Sequence, residues 1–189
     1  MDSIDRYLDE VAEMERALPR DDIRRVVEAV RRVRDSGRQL FVMGNGGSAA
    51  TASHMACDLA KASIANGGKR IMVMALTDNA ALMTALANDS SYEDIFAGQL
   101  LNLVQPGDLV IAISGSGNSP NVLKAVDAAK RAGATTVGFT GRPGGRLREM
   151  ADIVVMVPSG RIEQAEDGHL ILEHAIAVAL RDGVAGETG

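Results

Sequence analysis

A doubly wound α/β fold on a five-stranded parallel sheet is predicted by three features of the sequence. Apolar runs of strand length alternate with stretches of helical length along most of the chain, which implies a parallel sheet covered on both faces. One stretch, Gln39 to Ala62, passes from an apolar run through a glycine turn into a helix-forming segment, as a ligand-binding strand, loop and helix does. Polar loops follow the strands, at the carboxyl ends where such sheets bind ligands.

Taken in order, two amphipathic helices come first. Ile4, Leu8, Val11 and Leu18 mark one apolar stripe, and Ile23, Val26, Val27, Val30 and Val33 a second, with Pro19 between them. Helices placed before the first strand must cover the sheet or pair with another subunit. Leu40 to Met43 is the first strand; Gly44, Gly46 and Gly47 allow a turn too tight for other residues, and Ser48 is expected to cap the helix that follows. The remaining strands are Arg70 to Leu76, Asp108 to Ser114, Thr135 to Thr140 and Asp152 to Pro158. Helices are expected around Ala80 to Ala87, Ser91 to Val104, Asn118 to Ala132 and Gly145 to Met150, with a long last helix from about Arg161 to Asp182. The 189 residues form one domain: a helical segment over 1–37, an α/β core over 38–182 and a frayed polar tail over 183–189.

Composition removes several classes of function. A net charge of −5 and a pI near 5.2 argue against a nucleic-acid surface, as do the absence of Trp and the low aromatic content. The basic stretch Arg20 to Arg38 is interleaved with acids and is expected to be a solvated helix face. No run of about 18 apolar residues is present for a membrane span, and the N-terminus lacks a signal-peptide pattern. The single cysteine, Cys57, excludes an intrachain disulfide and is expected to be a small core residue; the acid-rich, disulfide-free chain suggests the cytoplasm.

Two loops share one chemical logic. Asn45-Gly46-Gly47-Ser48 and Ser114-Gly115-Ser116-Gly117-Asn118-Ser119 both deliver hydroxyls and backbone N–H groups to a helix start, which suits a phosphate monoester. Gly44, Gly46 and Ala49 also satisfy a dinucleotide fingerprint, but no acidic residue lies in the loop at Ala65 to Gly68 where a ribose partner belongs. Neither loop continues into the Gly-Lys-Ser/Thr of a P-loop. His54 and Asp58, four residues apart, share a helix face. Two of the three histidines, His169 and His174, fall on the last helix with Glu163, Glu166, Asp167 and Glu173. On an ideal helix Asp167 and His174 differ by ~20° and Glu166 and His174 by ~80°, so either carboxylate is able to join His174, and spacing leaves the choice open. With His54 and Asp58, these residues suit a joint acid/base or metal site.

GNGGSAATASH, the pair Asn88-Asp89 within LTDNAALMTALANDSSYEDIF, the loop SGSGNSPNVLKA and a last helix carrying HLILEH resemble the sugar isomerase (SIS) domain family, and within it the phosphoheptose isomerases. The resemblance spans nearly the whole chain with its motifs in order. It implies an SIS fold and an aldose–ketose isomerase that acts on sedoheptulose 7-phosphate through an enediol. It also implies a cytoplasmic homotetramer with sites at subunit interfaces and one zinc per subunit. The implied substrate residues are Asn45, Gly46, Gly47, Ser48, Asp58, Asn88, Asp89 and Glu166, with Ser114, Gly115, Ser116 and Ser119 around the phosphate. His54, Asp58, Glu166 and His174 are the implied metal or acid/base group, with Asp58 as base and His174 as its partner. Three positions depart from the family: Asp58 replaces a glutamate, Gly115 a hydroxyl residue and Glu166 a glutamine. Two other readings are a sugar-phosphate sensor without turnover and a protein-binding module resembling the replication initiator-associating proteins.

Overall fold

The computed structural model describes residues 2–62 and 69–186; the loop at Ala65 to Gly68 and the end of the tail, 187–189, lie outside the described residues. Two helices lead, α1 (Ser3–Arg16) and α2 (Arg20–Ser36). There follow β1 (Gln39–Gly44), α3 (Gly47–Ala62), β2 (Met72–Ala75), α4 (Ala80–Asp89) and a 3-10 turn at Tyr92–Asp94. The chain continues through α5 (Ala97–Leu103), β3 (Leu109–Ile113), α6 (Pro120–Arg131), β4 (Thr135–Thr140), α7 (Leu147–Met150), β5 (Ile153–Met156) and α8 (Ile162–Gly186). All strand pairs are parallel, in the order β2-β1-β3-β4-β5. The tail expected to fray from 183 is helical as far as Gly186.

Strand pleating divides the core into two layers. Leu40 and Val42 pack beneath α2, α3 and α8 through Val30, Met55 and Ile176, whereas Phe41 and Met43 face α5, α6 and α7 through Leu100, Val122 and Leu147. Each of these is buried, and at about 25 cal/mol per Å² of apolar surface removed from water this two-sided burial is the main force holding the sheet. The basic face of α2 is solvated and self-paired, with Arg24 bonded to Asp21, Arg25 to Asp22 and Arg31 to Glu28.

The structure corrects three local expectations. The segment Ser91 to Val104 is not one helix. Ser90 and Ser91 both donate to the Asp94 carboxylate (2.7 and 2.8 Å), and Lys124 pairs with it at 2.7 Å, so a 3-10 turn is pinned ahead of α5. Ser48 is not the cap of α3, because the helix already starts at Gly47, with the Ala50 N–H donating to the Gly46 carbonyl (3.2 Å). Cys57 is exposed rather than in the core.

Candidate active site at the carboxyl ends of β1 and β3

The chain leaves β1 toward β2 on one side and β3 toward β4 on the other, so the gap between the β1 and β3 carboxyl ends is the topological switch point of the sheet. Both glycine-serine loops start there. Asn45 and Asn121 clamp them together by exchanging side-chain amide hydrogen bonds (2.9 and 2.8 Å), and the Tyr92 hydroxyl donates to Asn45 Oδ1 as well (3.1 Å). The Asn45 side chain is therefore committed to holding the loop, and its backbone is what it offers a ligand. Among the described residues nothing accepts from the N–H groups of Gly47 and Ser48 at the head of α3, a helix start suited to an anion.

In the second loop Ser114 Oγ and Ser119 Oγ lie 3.2 Å apart, and Ser116 Oγ accepts from the Asn118 N–H (3.2 Å). Ser119 occupies the N-cap of α6 without a side-chain cap bond, and Pro120 follows at the first helical position. The loop is held by backbone from the β4–α7 connection: Leu147 N–H donates to the Gly117 carbonyl (2.9 Å) and Arg146 N–H to Asn118 Oδ1 (3.0 Å). Gly117 has φ +65°, and a Cβ there would run into the Gly144 carbonyl, so only glycine fits. Beside the loop lies a cavity of about 330 Å³ lined by Ser116, Asn118, Arg142 and Arg161. Neither arginine belongs to a motif in the sequence; their position after the ends of β4 and β5 is what brings them to the loop.

Helix α8 connects the parts. Its first residues pack on the serine loop, where a Cβ on Gly115 would meet Ile162, so the loss of a hydroxyl at this position makes room for α8. One turn on, Glu166 lies over the start of α3, its Oε1 2.6 Å from where a Gly47 Cβ would be. Two turns further, His174 meets His54 with ring centroids 5.0 Å apart and edge to face. The parallel passage of α3 and α8 thus matches Gly47 with Glu166 and His54 with His174.

The group that forms is His54, Asp58, Glu173 and His174, with one ligand atom from each all lying within 4.8 Å of one another. Glu166 is not in it. Eight residues separate Glu166 from His174, about 12 Å along the helix, which takes its carboxylate away from the cluster. Glu173, next to His174, fills the place instead, a position that helical phase relative to His174 does not select. His54 Nε2 is 3.7 Å from Asp58 Oδ2, Lys61 Nζ is 3.3 Å from Asp58 Oδ1, and His174 Nε2 is 3.2 Å from Glu173 Oε2. The histidine side chains are about half exposed and Glu173 is fully buried. Burial pushes the Glu173 carboxyl above the usual range; His174 and His54 pull it back, and Asp58 adds to the rise. Asn88 and Asp89 stand exposed at the end of α4 with their side chains bonded to each other (2.9 Å), outside the cluster.

A switch-point crevice with two glycine-serine loops, and a histidine–carboxylate cluster about two helical turns further along α3 and α8, is an arrangement suited to a small anionic ligand. Comparison with known proteins makes the class specific. Residues 1–141 match the SIS domain family, and the chain belongs to that family. It is 40% identical over 151 residues to the phosphoheptose isomerase of Trichlorobacter lovleyi, covering 79% of this chain and 76% of that one. It is 37% identical over 170 residues to the phosphoheptose isomerase of Burkholderia pseudomallei, covering 86% of each. The structure of the phosphoheptose isomerase from Neisseria gonorrhoeae superposes with a TM-score of 0.87 at 28% identity over 95% of this chain and 97% of that one, so the likeness takes in the N-terminal helices as well as the sheet.

Proposed function

We propose that this chain is a phosphoheptose isomerase, an aldose–ketose isomerase converting sedoheptulose 7-phosphate to a heptose 7-phosphate. The observation that carries this is the cluster of His54, Asp58 and His174 beside the two loops of an SIS fold, in a chain whose relatives of that name match over most of their length. The phosphate is held by Ser114, Ser116 and Ser119 and the Gly115 N–H, with the start of α6 behind them. Gly46, Gly47 and Ser48, the Asn45 backbone, Glu166 and, beyond them, Asn88 and Asp89 orient the sugar.

The reaction moves one proton between neighbouring carbons. Asp58 removes a proton from C1 of the ketose, the electron pair forms the C1–C2 double bond, and the carbonyl oxygen on C2 takes a proton, giving the enediol. Return of a proton to C2, with loss of the O1 proton as the C1 carbonyl forms, yields the aldose. His174 is the acid/base partner that serves the oxygens. The residues present fit a divalent cation: two imidazoles and two carboxylates converge, and Glu173 is buried with neither oxygen accepting a hydrogen bond from a described residue. Zinc, one per subunit, with His54, Asp58 and His174 among its ligands, would supply polarisation of the substrate oxygens. In this reading the chain assembles as a cytoplasmic homotetramer with sites completed across subunits, as the family resemblance of the sequence implies; no helix among the described residues is long and apolar enough to cross a membrane.

The test is an assay of the purified protein on C5 to C7 ketose phosphates in deuterated water. Aldose formation with solvent deuterium at C2, greatest for sedoheptulose 7-phosphate, is the expected result. Absence of exchange for every sugar phosphate would replace the isomerase with a binding protein.

A further inference from the structure

We infer that Arg142 and Arg161 form a second phosphoryl-binding site, in the cavity between the serine loop and the connections that follow β4 and β5. It is separate from the crevice at the β1 and β3 ends, and it stands whether or not the chain is an isomerase.

The cavity, about 330 Å³, takes Ser116 and Asn118 of the loop into its wall, but not Ser114, Ser119 or the Asn45–Ser48 turn. Its frame is tied down. Ser159 holds the backbone of both arginines: its carbonyl accepts from the Arg142 N–H (2.8 Å) and its hydroxyl from the Arg161 N–H (3.1 Å). The Gly141 N–H donates to the Gly115 carbonyl (2.9 Å), which fastens the end of β4 to the serine loop. A Cβ on Gly141 would stand 3.0 Å from both that carbonyl oxygen and the Ala165 Cβ, so strand end, loop and α8 meet closely behind the cavity. Both guanidinium groups therefore start from one braced backbone, which is what a preorganised anion site needs.

The charge on this wall is not neutralised by the described residues. Arg142 makes no side-chain hydrogen bond or ion pair among them, and neither do Arg146 and Arg148 in the same connection. Arg161 gives one terminal nitrogen to Glu10 (2.6 Å), which also accepts from Gln164 Nε2 (2.7 Å); its remaining donors have no acceptor among the described residues. Glu10 and Glu13 line a neighbouring cavity with Arg142 without bonding to it. On α6, by contrast, Lys124, Lys130 and Arg131 are paired with Asp94, Asp152 and Asp127. Acids outnumber Lys and Arg by 25 to 20 in this chain, so a shortage of carboxylates does not explain the unpaired arginines. Planar guanidinium forks match phosphate oxygens two at a time, and two forks beside a serine hydroxyl and an amide suit a dianionic phosphoryl group. Ser116 lies on both sides of the argument. Its Oγ already accepts from the Asn118 N–H, which leaves one hydroxyl proton to serve either the sugar phosphate or an anion in the cavity. Occupancy of one site then weakens the other, reciprocally.

Inorganic phosphate is the probe, measured by equilibrium dialysis at low ionic strength on the parent, R142Q/R161Q and S114A/S119A. The parent should bind two phosphates per chain. R142Q/R161Q should lose one of them, with affinity falling at least about 100-fold, and S114A/S119A should keep that one. R142Q alone should weaken it at least about 10-fold while keeping the parent circular dichroism, because this side chain has no described partner to lose. Fructose 1,6-bisphosphate distinguishes two sources of the phosphoryl group. One molecule per chain, weakened in both double variants, identifies a doubly phosphorylated sugar that reaches across the loop; two per chain, one of them lost in R142Q/R161Q, identifies a separate phosphorylated molecule. Two phosphates on R142Q/R161Q, a single phosphate on the parent that only the serine changes remove, or none on the parent overturns the inference. A single phosphate that only the arginine changes remove upholds it and takes the serine loop out of phosphate binding.

Discussion

At Asp58 two demands meet in one carboxylate. The residue is partly buried, with His54 and Lys61 at either oxygen, and in the proposed reaction it takes the C1 proton. Asp58→Asn preserves shape and loses the base, so kcat should fall at least ~100-fold while KM changes little, as steady-state kinetics would show. Full isomerisation by that variant would remove Asp58 from the base role. His169 makes a different point, because it lies outside the cluster. It is fully buried and stacks on Phe139 with ring centroids 6.2 Å apart. Burial lowers its pKa to about 4, with a backbone contact from Thr140 opposing weakly. In the unfolded chain the pKa returns to ~6.5. Between these values the unfolded state binds a proton that the folded state refuses, so stability is lost as pH falls from ~6.5 toward 4. The loss between pH 7 and pH 5 is about 2 kcal/mol from this residue, and urea unfolding of His169→Gln at the two pH values should show that dependence removed.

At the scale of elements, the loops and helix starts carry the binding and α8 sets their spacing. Ser119 is the N-cap of α6 and Ser116 lies in the loop before it, and each hydrogen bond to a charged phosphate is worth ~1.5–3 kcal/mol. Ser116→Ala with Ser119→Ala should therefore raise KM for the phosphosugar by at least ~100-fold with unchanged circular dichroism; an unchanged KM would take the loop out of the site. The strands and most helices were legible because continuous apolar runs and 3.6-residue stripes are local signals. The identity of the fourth cluster residue was not. Glu166 and Asp167 both satisfied the helical phase relative to His174, but the choice depends on where α3 crosses α8, and that crossing is fixed by contacts far apart in sequence such as Met55 and Ile176 in one core layer. The same limit explains Asn45, whose amide looked available until the partner 76 residues away, Asn121, was seen to hold it.

At the scale of the molecule, the core explains why the chain folds, and the apolar surface left over points to what it does next. Of the α1 stripe, Val11 and Leu18 pack on the core beside Met14, while Ile4 and Leu8 are 67% and 60% exposed; α1 leans on α8 and does not cover the sheet. On the opposite edge β2 is paired on one side only, Met72 and Met74 face outward, and Leu101 is 77% exposed. A cavity of about 780 Å³, lined by Met74, Leu82, Cys57 and Asp78 among others, opens at that edge, and His54, Asp58 and His174 are not in its wall. Exposed apolar edges of this kind are covered by association in stable proteins. In the proposed tetramer both surfaces are buried and the site is completed by neighbours. Light scattering at micromolar concentration should then give four copies for the parent. Met74→Glu with Leu101→Glu should place charge where apolar contact is needed and shift the mass to smaller species, with activity falling in step. The residues of the proposed cation site, His54, Asp58 and His174, come together within one chain, so the dissociated variant should keep the parent circular dichroism and whatever zinc affinity the parent has, which separates loss of assembly from loss of fold. A parent that is monomeric and fully active would show that each chain holds a whole site.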